Sequence, residues 1–178
     1  YNVQHMDMNG NSELAVPQNT LGAELRQLEN KQWEQITLPH TPFVEPLTVL
    51  HQWQGICYYK KKITITPEEA KKHIWIEFEG AMHLADVWIN GKHVMQHAGG
   101  YTPFVVDATG LLKTDKENEL LVRLDNRNNS LIPPGKPLET LDFCYYGGIY
   151  RNVHLIAKAD VHITHPILDG HPAGAGIF

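Results

Sequence analysis

This chain has little cysteine, no excess of basic charge and no sustained helical period. Cys57 and Cys144 are the two cysteines in 178 residues. That is too few for a disulfide framework, and neither stands at CxxC or Cys/His metal spacing. Both are expected as small core residues. The net charge is −5, which argues against a nucleic-acid partner, because a phosphate-binding surface needs clustered Lys and Arg. The one basic run, Lys60-Lys61-Lys62, reads as the solvated part of a strand. No apolar run is long enough to cross a bilayer as a helix, so no membrane insertion is expected. His162 and His165 lie near each other without helix-ligand or zinc-finger spacing and read as strand and loop residues. A hydrophobic fraction of 42% against 20% charged gives one domain of this length enough to bury a core. Tyr1 is not Met, no leader pattern opens the chain, and it stops at Ile177-Phe178. A piece of a longer protein is expected. Its compartment stays open between a periplasmic or extracellular setting and the cytoplasm.

What is present is strand. Trp33, Ile36 and Leu38 lead into Pro39-His40-Thr41-Pro42. Cys57 to Thr66 is rich in aromatic and β-branched residues. In His73 to Gly80, Ile74, Ile76 and Phe78 share one face and His73, Trp75, Glu77 and Glu79 the other, the period of a half-buried strand. Leu84 to Ile89 meets Asn90-Gly91, the strongest short hairpin signal because both turn positions need positive φ, and Lys92 to His97 returns. Phe104 to Val106 is short. Glu119 to Asp125 puts Leu120, Val122 and Leu124 inward and Leu121 and Arg123 the other way. Gly148 to Ala157 reads as the last strong strand, and Val161 to Thr164 as the start of another. Pro67 to Lys72 looks like one helical turn, with Pro early and acids ahead of bases. Leu21, Leu25 and Leu28 fall on one helical face, weakened by Gly22. Residues 1–15 read as a loose lead-in. Many short strands without helical period indicate an antiparallel sandwich or barrel, an all-β fold.

Between the strands runs a long irregular stretch, Asn126 to Leu141, stiffened by Pro133-Pro134-Gly135 and Pro137. Loops of this length often line sites, and prolines lower the entropy lost on ordering them. It delivers Asp142-Phe143-Cys144-Tyr145-Tyr146-Gly147-Gly148. A carboxylate accepts hydrogen bonds from sugar hydroxyls, and ring faces cover apolar C–H patches. A turn Asp beside core aromatics is the plainer alternative from composition alone.

A series of motifs adds to this reading. Gly55-Ile56-Cys57-Tyr58-Tyr59, Phe78-Glu79-Gly80, Val87-Trp88-Ile89-Asn90-Gly91, Gly99-Gly100-Tyr101-Thr102-Pro103-Phe104, Asp107, Asn118-Glu119-Leu120, Asp142-Phe143 and Gly148-Ile149-Tyr150-Arg151 follow in order. From about Trp33 to Ala157 the chain resembles the N-terminal sugar-binding domain of glycoside hydrolase family 2, the family of β-galactosidases, β-glucuronidases and β-mannosidases. Each motif alone is weak; the ordered set is specific.

The resemblance implies a jelly-roll β-sandwich, of the galactose-binding-domain kind, over residues 31–158. A lead-in over 1–30 would precede it. Residues 159–178 would link to an immunoglobulin-like domain and then a (β/α)₈ barrel, and an oligomer of identical chains is one arrangement open to the parent. Retaining hydrolysis needs two carboxyls ~5–5.5 Å apart. In the family both are barrel glutamates, so no catalytic residue is assigned here, and Glu68-Glu69 belongs to a solvated turn. By resemblance, Asp142 contacts a hydroxyl of a β-linked sugar substrate. Gln52 stands at a second rim position, where some β-galactosidases have Asn. Tyr145 stands where the glucuronidase pattern has Asn. No cofactor is implied, apart from room for a Na⁺ or Mg²⁺ ion near Asp142 in the full enzyme. Ile132-Pro133-Pro134-Gly135 is similar to glucuronidases and Tyr145-Tyr146-Gly147-Gly148 to bacterial β-galactosidases, with β-galactosidase the first expectation. A free-standing carbohydrate-binding module and a structural spacer are the alternatives. Trp88 is expected as packing, and Arg151 and Asp107 as an ion pair or carbonyl contacts holding a loop.

Overall fold

A computed structural model describes residues 2–6, 33–43, 53–141, 143 and 145–170. Its strands are β1 (Asn2–Met6), β2 (Glu34–Gln35), β3 (Ile56–Ile63), β4 (His73–Phe78), β5 (Leu84–Ile89), β6 (Lys92–Ala98), β7 (Phe104–Asp107), β8 (Asn118–Asp125) and β9 (Val153–Lys158). Among the described residues they form two antiparallel sheets. One has the order β2-β1-β3-β8-β5-β6 and the other β7-β4-β9. Packed face to face, they make the jelly-roll β-sandwich expected from the motif series.

The core lies between the sheets. Cys57, Tyr59, Ala85, Val87, Ile89, Leu120, Val122 and Leu124 meet Ile74, Ile76, Phe78, Phe104 and Val106. Phe78 and Phe104 stack with ring centroids 4.5 Å apart. Each such fully buried side chain stabilises the fold by roughly 1.5–3 kcal/mol. The period of two in β4 and β8 places these residues as anticipated. Lys61 and Lys62 are exposed on β3, and Lys60 and Lys62 pair with Glu119 and Glu117.

Turn chemistry sets the register. Asn90 and Gly91 have φ of 52° and 77°, the two-residue turn that matches strand twist. Asn90 also accepts from the Glu119 N–H and donates to Asn118 Oδ1. Asn118, buried, accepts from the Lys113 N–H at 2.7 Å and donates to the Lys113 carbonyl at 2.8 Å. This clasp accounts for the Asn in the Asn-x-Leu strand. Thr66 and Glu69 form a capping box: Glu69 Oε2 accepts from the Thr66 N–H, and Thr66 Oγ1 accepts from the Glu69 N–H. One 3₁₀ turn, Glu69–Lys71, follows. Glu69 is therefore a turn residue, as read from the sequence.

Four expectations are corrected. Residues Asn2–Met6 are not a loose lead-in, because their backbone pairs with β3 from Asn2↔Lys60 to Met6↔Ile56. The last strand starts at Val153, not Gly148, since Gly148 sits at φ 96° and bridges back to Met82. Val161 to Thr164 does not pair as a strand. Instead it crosses the outer face of β4, where His162 and His165 set their rings edge-on to Trp75. Asp107 and Arg151 do not pair. Asp107 lies opposite Trp75 at one end of the small sheet and accepts from the Thr109 N–H. Arg151 precedes β9 at the Phe78 end and lies over the Tyr150 ring. The helical face of Leu21 to Leu28 falls outside the described residues.

Candidate functional site

One end of the sandwich gathers the chemistry. β8 ends at Asp125, and the long loop starts with Asn126, whose carboxamide is bonded through both its oxygen and its nitrogen. Its Oδ1 accepts from the Gly55 N–H at 2.8 Å and its Nδ2 donates to the Trp53 carbonyl at 2.9 Å. The Asn128 N–H donates to Gln54 Oε1 at 2.8 Å. Asn129 Oδ1 accepts from the Leu131 N–H at 2.9 Å, and Ile132 plugs the interior with 1% exposure. Gly135, at φ 70°, donates to the Ile132 carbonyl at 2.8 Å. The loop is thus pinned along its length although it contains no strand.

The returning segment is pinned as well. A Cβ on Gly147 would meet Asn126 Nδ2 at 2.8 Å, and one on Gly148 would meet the His40 carbonyl at 2.7 Å. Gly147 therefore leaves room for the Asn126 and Trp53 side chains, and Gly148 lets backbone approach backbone. The Met82 N–H donates to the Gly148 carbonyl and the His40 N–H to the Ile149 carbonyl. The Tyr59 hydroxyl reaches this junction, 3.0 Å from His40 Nδ1. Burial pushes its phenol far above the ordinary range.

Beside the loop lies a charged ladder that sequence reading missed. Asp86 on β5 is in register with Arg123 on β8. Arg123, Asp86 and Asp125 are fully buried. Arg123 Nη1 stands 3.6 Å from Asp86 Oδ2, and Arg123 Nη2 3.4 Å from Asp125 Oδ2. Arg127 grips Asp125 with two bonds, Nε to Oδ1 at 2.9 Å and Nη2 to Oδ2 at 2.6 Å. Burial alone would raise the Asp125 carboxyl. The Arg127 bonds and the Arg123 charge outweigh it and hold the group below its usual value. Asp86 also accepts from Gln96 Nε2 at 2.9 Å and lies 3.0 Å from His93 Nε2. No local signal marks the pair in the sequence: only the register of β5 against β8 brings the two opposite charges face to face.

Tyr145 is in the wall of this end, 2% exposed. Its hydroxyl lies 2.8 Å from His83 Nδ1 and 3.4 Å from the Pro133 carbonyl, to which it donates. Burial drives the His83 imidazole down from 6.5 to about 4, so it is neutral near pH 7. Tyr101, half exposed, stands edge-on to Tyr145 with centroids 6.1 Å apart. Phe143 is exposed. His83, Tyr145 and the loop from Asn126 to Lys136 enclose a small niche. Asp142 and Gln52, the other two expected sugar contacts, lie outside the described residues, as does Cys144. Cys57 is buried in the core. Trp88 is packed with Ile56, Tyr58 and Leu121 on the outer face of the large sheet. Among the described residues no group of three or more His, Cys, Asp or Glu side chains is placed to hold a metal ion.

The chain is a two-sheet antiparallel sandwich with a pinned proline loop and an aromatic run at one end. The sequence profile described as "Glycosyl hydrolases family 2, sugar binding domain" matches residues 5–159, and the chain belongs to that family. It is 33% identical over 153 residues to a β-galactosidase of Thermoanaerobacter pseudethanolicus, covering 84% of this chain and 20% of that protein. It is 37% identical over 135 residues to a β-glucuronidase of Bacteroides fragilis, covering 72% and 18%. Among solved structures, a Bacteroides uniformis β-glucuronidase superimposes with a TM-score of 0.63 at 34% identity, covering 72% of this chain and 15% of that one. The chain thus spans about a fifth of the length of the curated relatives it matches.

Proposed function

We propose that this chain is the noncatalytic sugar-binding domain of a retaining, exo-acting β-glycosidase, of β-galactosidase or β-glucuronidase type, and that it supplies one rim of the active-site pocket. The observation that carries this reading is the pinned end of the sandwich. Asn126 is bonded where the long loop begins, and Gly147 and Gly148 are closely packed where the chain returns from it, in a chain whose relatives are named for both activities. In this reading Asp142 accepts hydrogen bonds from a sugar hydroxyl, Gln52 adds a second contact, and Tyr145 shapes the wall between them. Bond cleavage belongs to two carboxyls of a following (β/α)₈ barrel, with an immunoglobulin-like domain between. A Na⁺ or Mg²⁺ ion beside Asp142 is an optional part of it, and no other cofactor enters.

The test is hydrolysis of 4-nitrophenyl β-D-galactoside and β-D-glucuronide by the full-length protein, alongside sugar titration of the isolated domain. Turnover of one glycoside with negligible binding by the domain supports a pocket rim. Micromolar binding by the domain without turnover supports a free-standing binding module instead.

A further inference from the structure

Tyr101 stands on a locked bend between β6 and β7. The Gly99 N–H donates to the His83 carbonyl at 2.9 Å. The Tyr150 hydroxyl donates to the Gly100 carbonyl, and Thr102 Oγ1 lies 3.2 Å from His97 Nε2. A Cβ on Gly100 would run into Met82 Sδ, so the bend sits directly on Met82, whose N–H bonds the Gly148 carbonyl. The bend is thus tied both to the entry of β5 and to the Gly147-Gly148 return.

This fixed backbone displays an aromatic ring. Tyr101 is 47% exposed, whereas Tyr145, edge-on to it with centroids 6.1 Å apart, is 2% exposed. Tyr145 lies three residues after Asp142. Tyr101 is therefore the outer ring of the pair, beside the segment that carries the proposed sugar contact. Folding gains from covering a ring of this size, yet the bend holds it out. Its exposed neighbours on the bend are Thr102 and Pro103. One ring among them is too little apolar area for a stable protein interface, and enough to cover one face of a single ring. A Tyr side chain has two torsions to order, and here its backbone is already held, so stacking on it loses little entropy. An exo-acting glycosidase takes the cleaved sugar inward and leaves the other side of the scissile bond toward solvent. A half-exposed ring outside the buried Tyr145 is placed for that outer part.

We propose that Tyr101 is a shelf for the leaving-group side of the substrate, on which an aryl ring or the apolar face of a second sugar ring stacks. This rests on the pocket-rim reading. It makes Tyr101 a determinant of which leaving groups are preferred, not of which sugar is released.

The test is leaving-group selectivity in the full-length protein. For whichever sugar it releases, kcat/KM is measured on the 4-nitrophenyl glycoside, the methyl glycoside and a disaccharide, with wild type, Tyr101→Ala, Tyr101→Leu and Tyr101→Phe. Each variant is compared with wild type on the same substrate, so the reactivity of the leaving group cancels. Comparing substrates within one sample cancels any unfolded fraction. Tyr101→Leu keeps apolar bulk against Tyr145 but has no ring. Tyr101→Ala and Tyr101→Leu are expected to lose at least about tenfold on the 4-nitrophenyl glycoside, the disaccharide or both, and about twofold or less on the methyl glycoside. Tyr101→Phe keeps the ring and should stay within about twofold of wild type throughout. A loss that includes the disaccharide makes a sugar ring the occupant, and a loss confined to the 4-nitrophenyl glycoside makes it an aryl ring. A loss on the methyl glycoside as large as on the others, or no loss on any substrate, overturns the shelf and leaves the function reading intact. A wild-type protein that cleaves neither the galactoside nor the glucuronide overturns the function reading, and the shelf with it.

Discussion

Arg123 and Asp86 lie opposite one another on adjacent central strands, both fully buried, with 3.6 Å between guanidinium and carboxylate. The pair shares its surroundings with Asp125 and Arg127, so the outer face of the large sheet is organised by charge and not by apolar packing alone. Removing Asp86 takes away one of the two carboxylates that face the buried Arg123, with Asp125 still 3.4 Å from it. We expect Asp86→Ala to destabilise the protein by about 1–3 kcal/mol, read from the urea midpoint. The double variant Asp86→Leu with Arg123→Met should be milder than the single one, because it removes both desolvated charges.

His83 gives the fold an acid limit. Burial lowers its pKa from 6.5 to about 4, so between those values the unfolded chain binds a proton that the folded protein refuses. Stability is full above pH 6.5 and falls as pH drops toward 4, by about 3 kcal/mol over that window. His97, also lowered by burial, acts in the same direction. Below that range Asp125 takes over, because its depressed carboxyl loses its contribution as it protonates. Thermal melts from pH 7.5 to 4.5 should show this slope, and His83→Phe should flatten it.

Gly148 sits at φ 96°, with the Tyr59 hydroxyl, the His40 carbonyl and Pro42 in the space a Cβ would need. Backbone strain of about 1–3 kcal/mol and overpacking of similar size should both act in Gly148→Ala. Gly91 has φ 77° but open space around it, so Gly91→Ala should incur the strain alone. Comparing the two melting temperatures separates the terms.

The sandwich was legible because its signals are local. Asn90-Gly91 announces a hairpin by itself, and Ile74, Ile76 and Phe78 announce a face. The misses all involve partners distant in sequence. Trp75 reads as an exposed-face residue, yet rings from residues 162 and 165 cover it to 6% exposure. Arg123 alternates correctly away from the core, but nothing near it reveals that Asp86 waits across the sheet. His83 stands in Ala81-Met82-His83-Leu84 with no spacing to mark it, and its partner Tyr145 lies 62 positions on. The opening residues lack a period but pair through their backbone, which pattern reading cannot see. Tyr145 was a candidate only through the motif around it, and its engagement with His83 required the fold.

The central claim is that this domain lends Asp142 to a sugar pocket completed elsewhere in the protein. Its most direct test is kcat/KM of Asp142→Ala in the full-length protein on the glycoside it cleaves, with melting temperature as a control. The account predicts a loss of transition-state stabilisation of about 2–4 kcal/mol at unchanged melting temperature. Wild-type kinetics in that variant would contradict it.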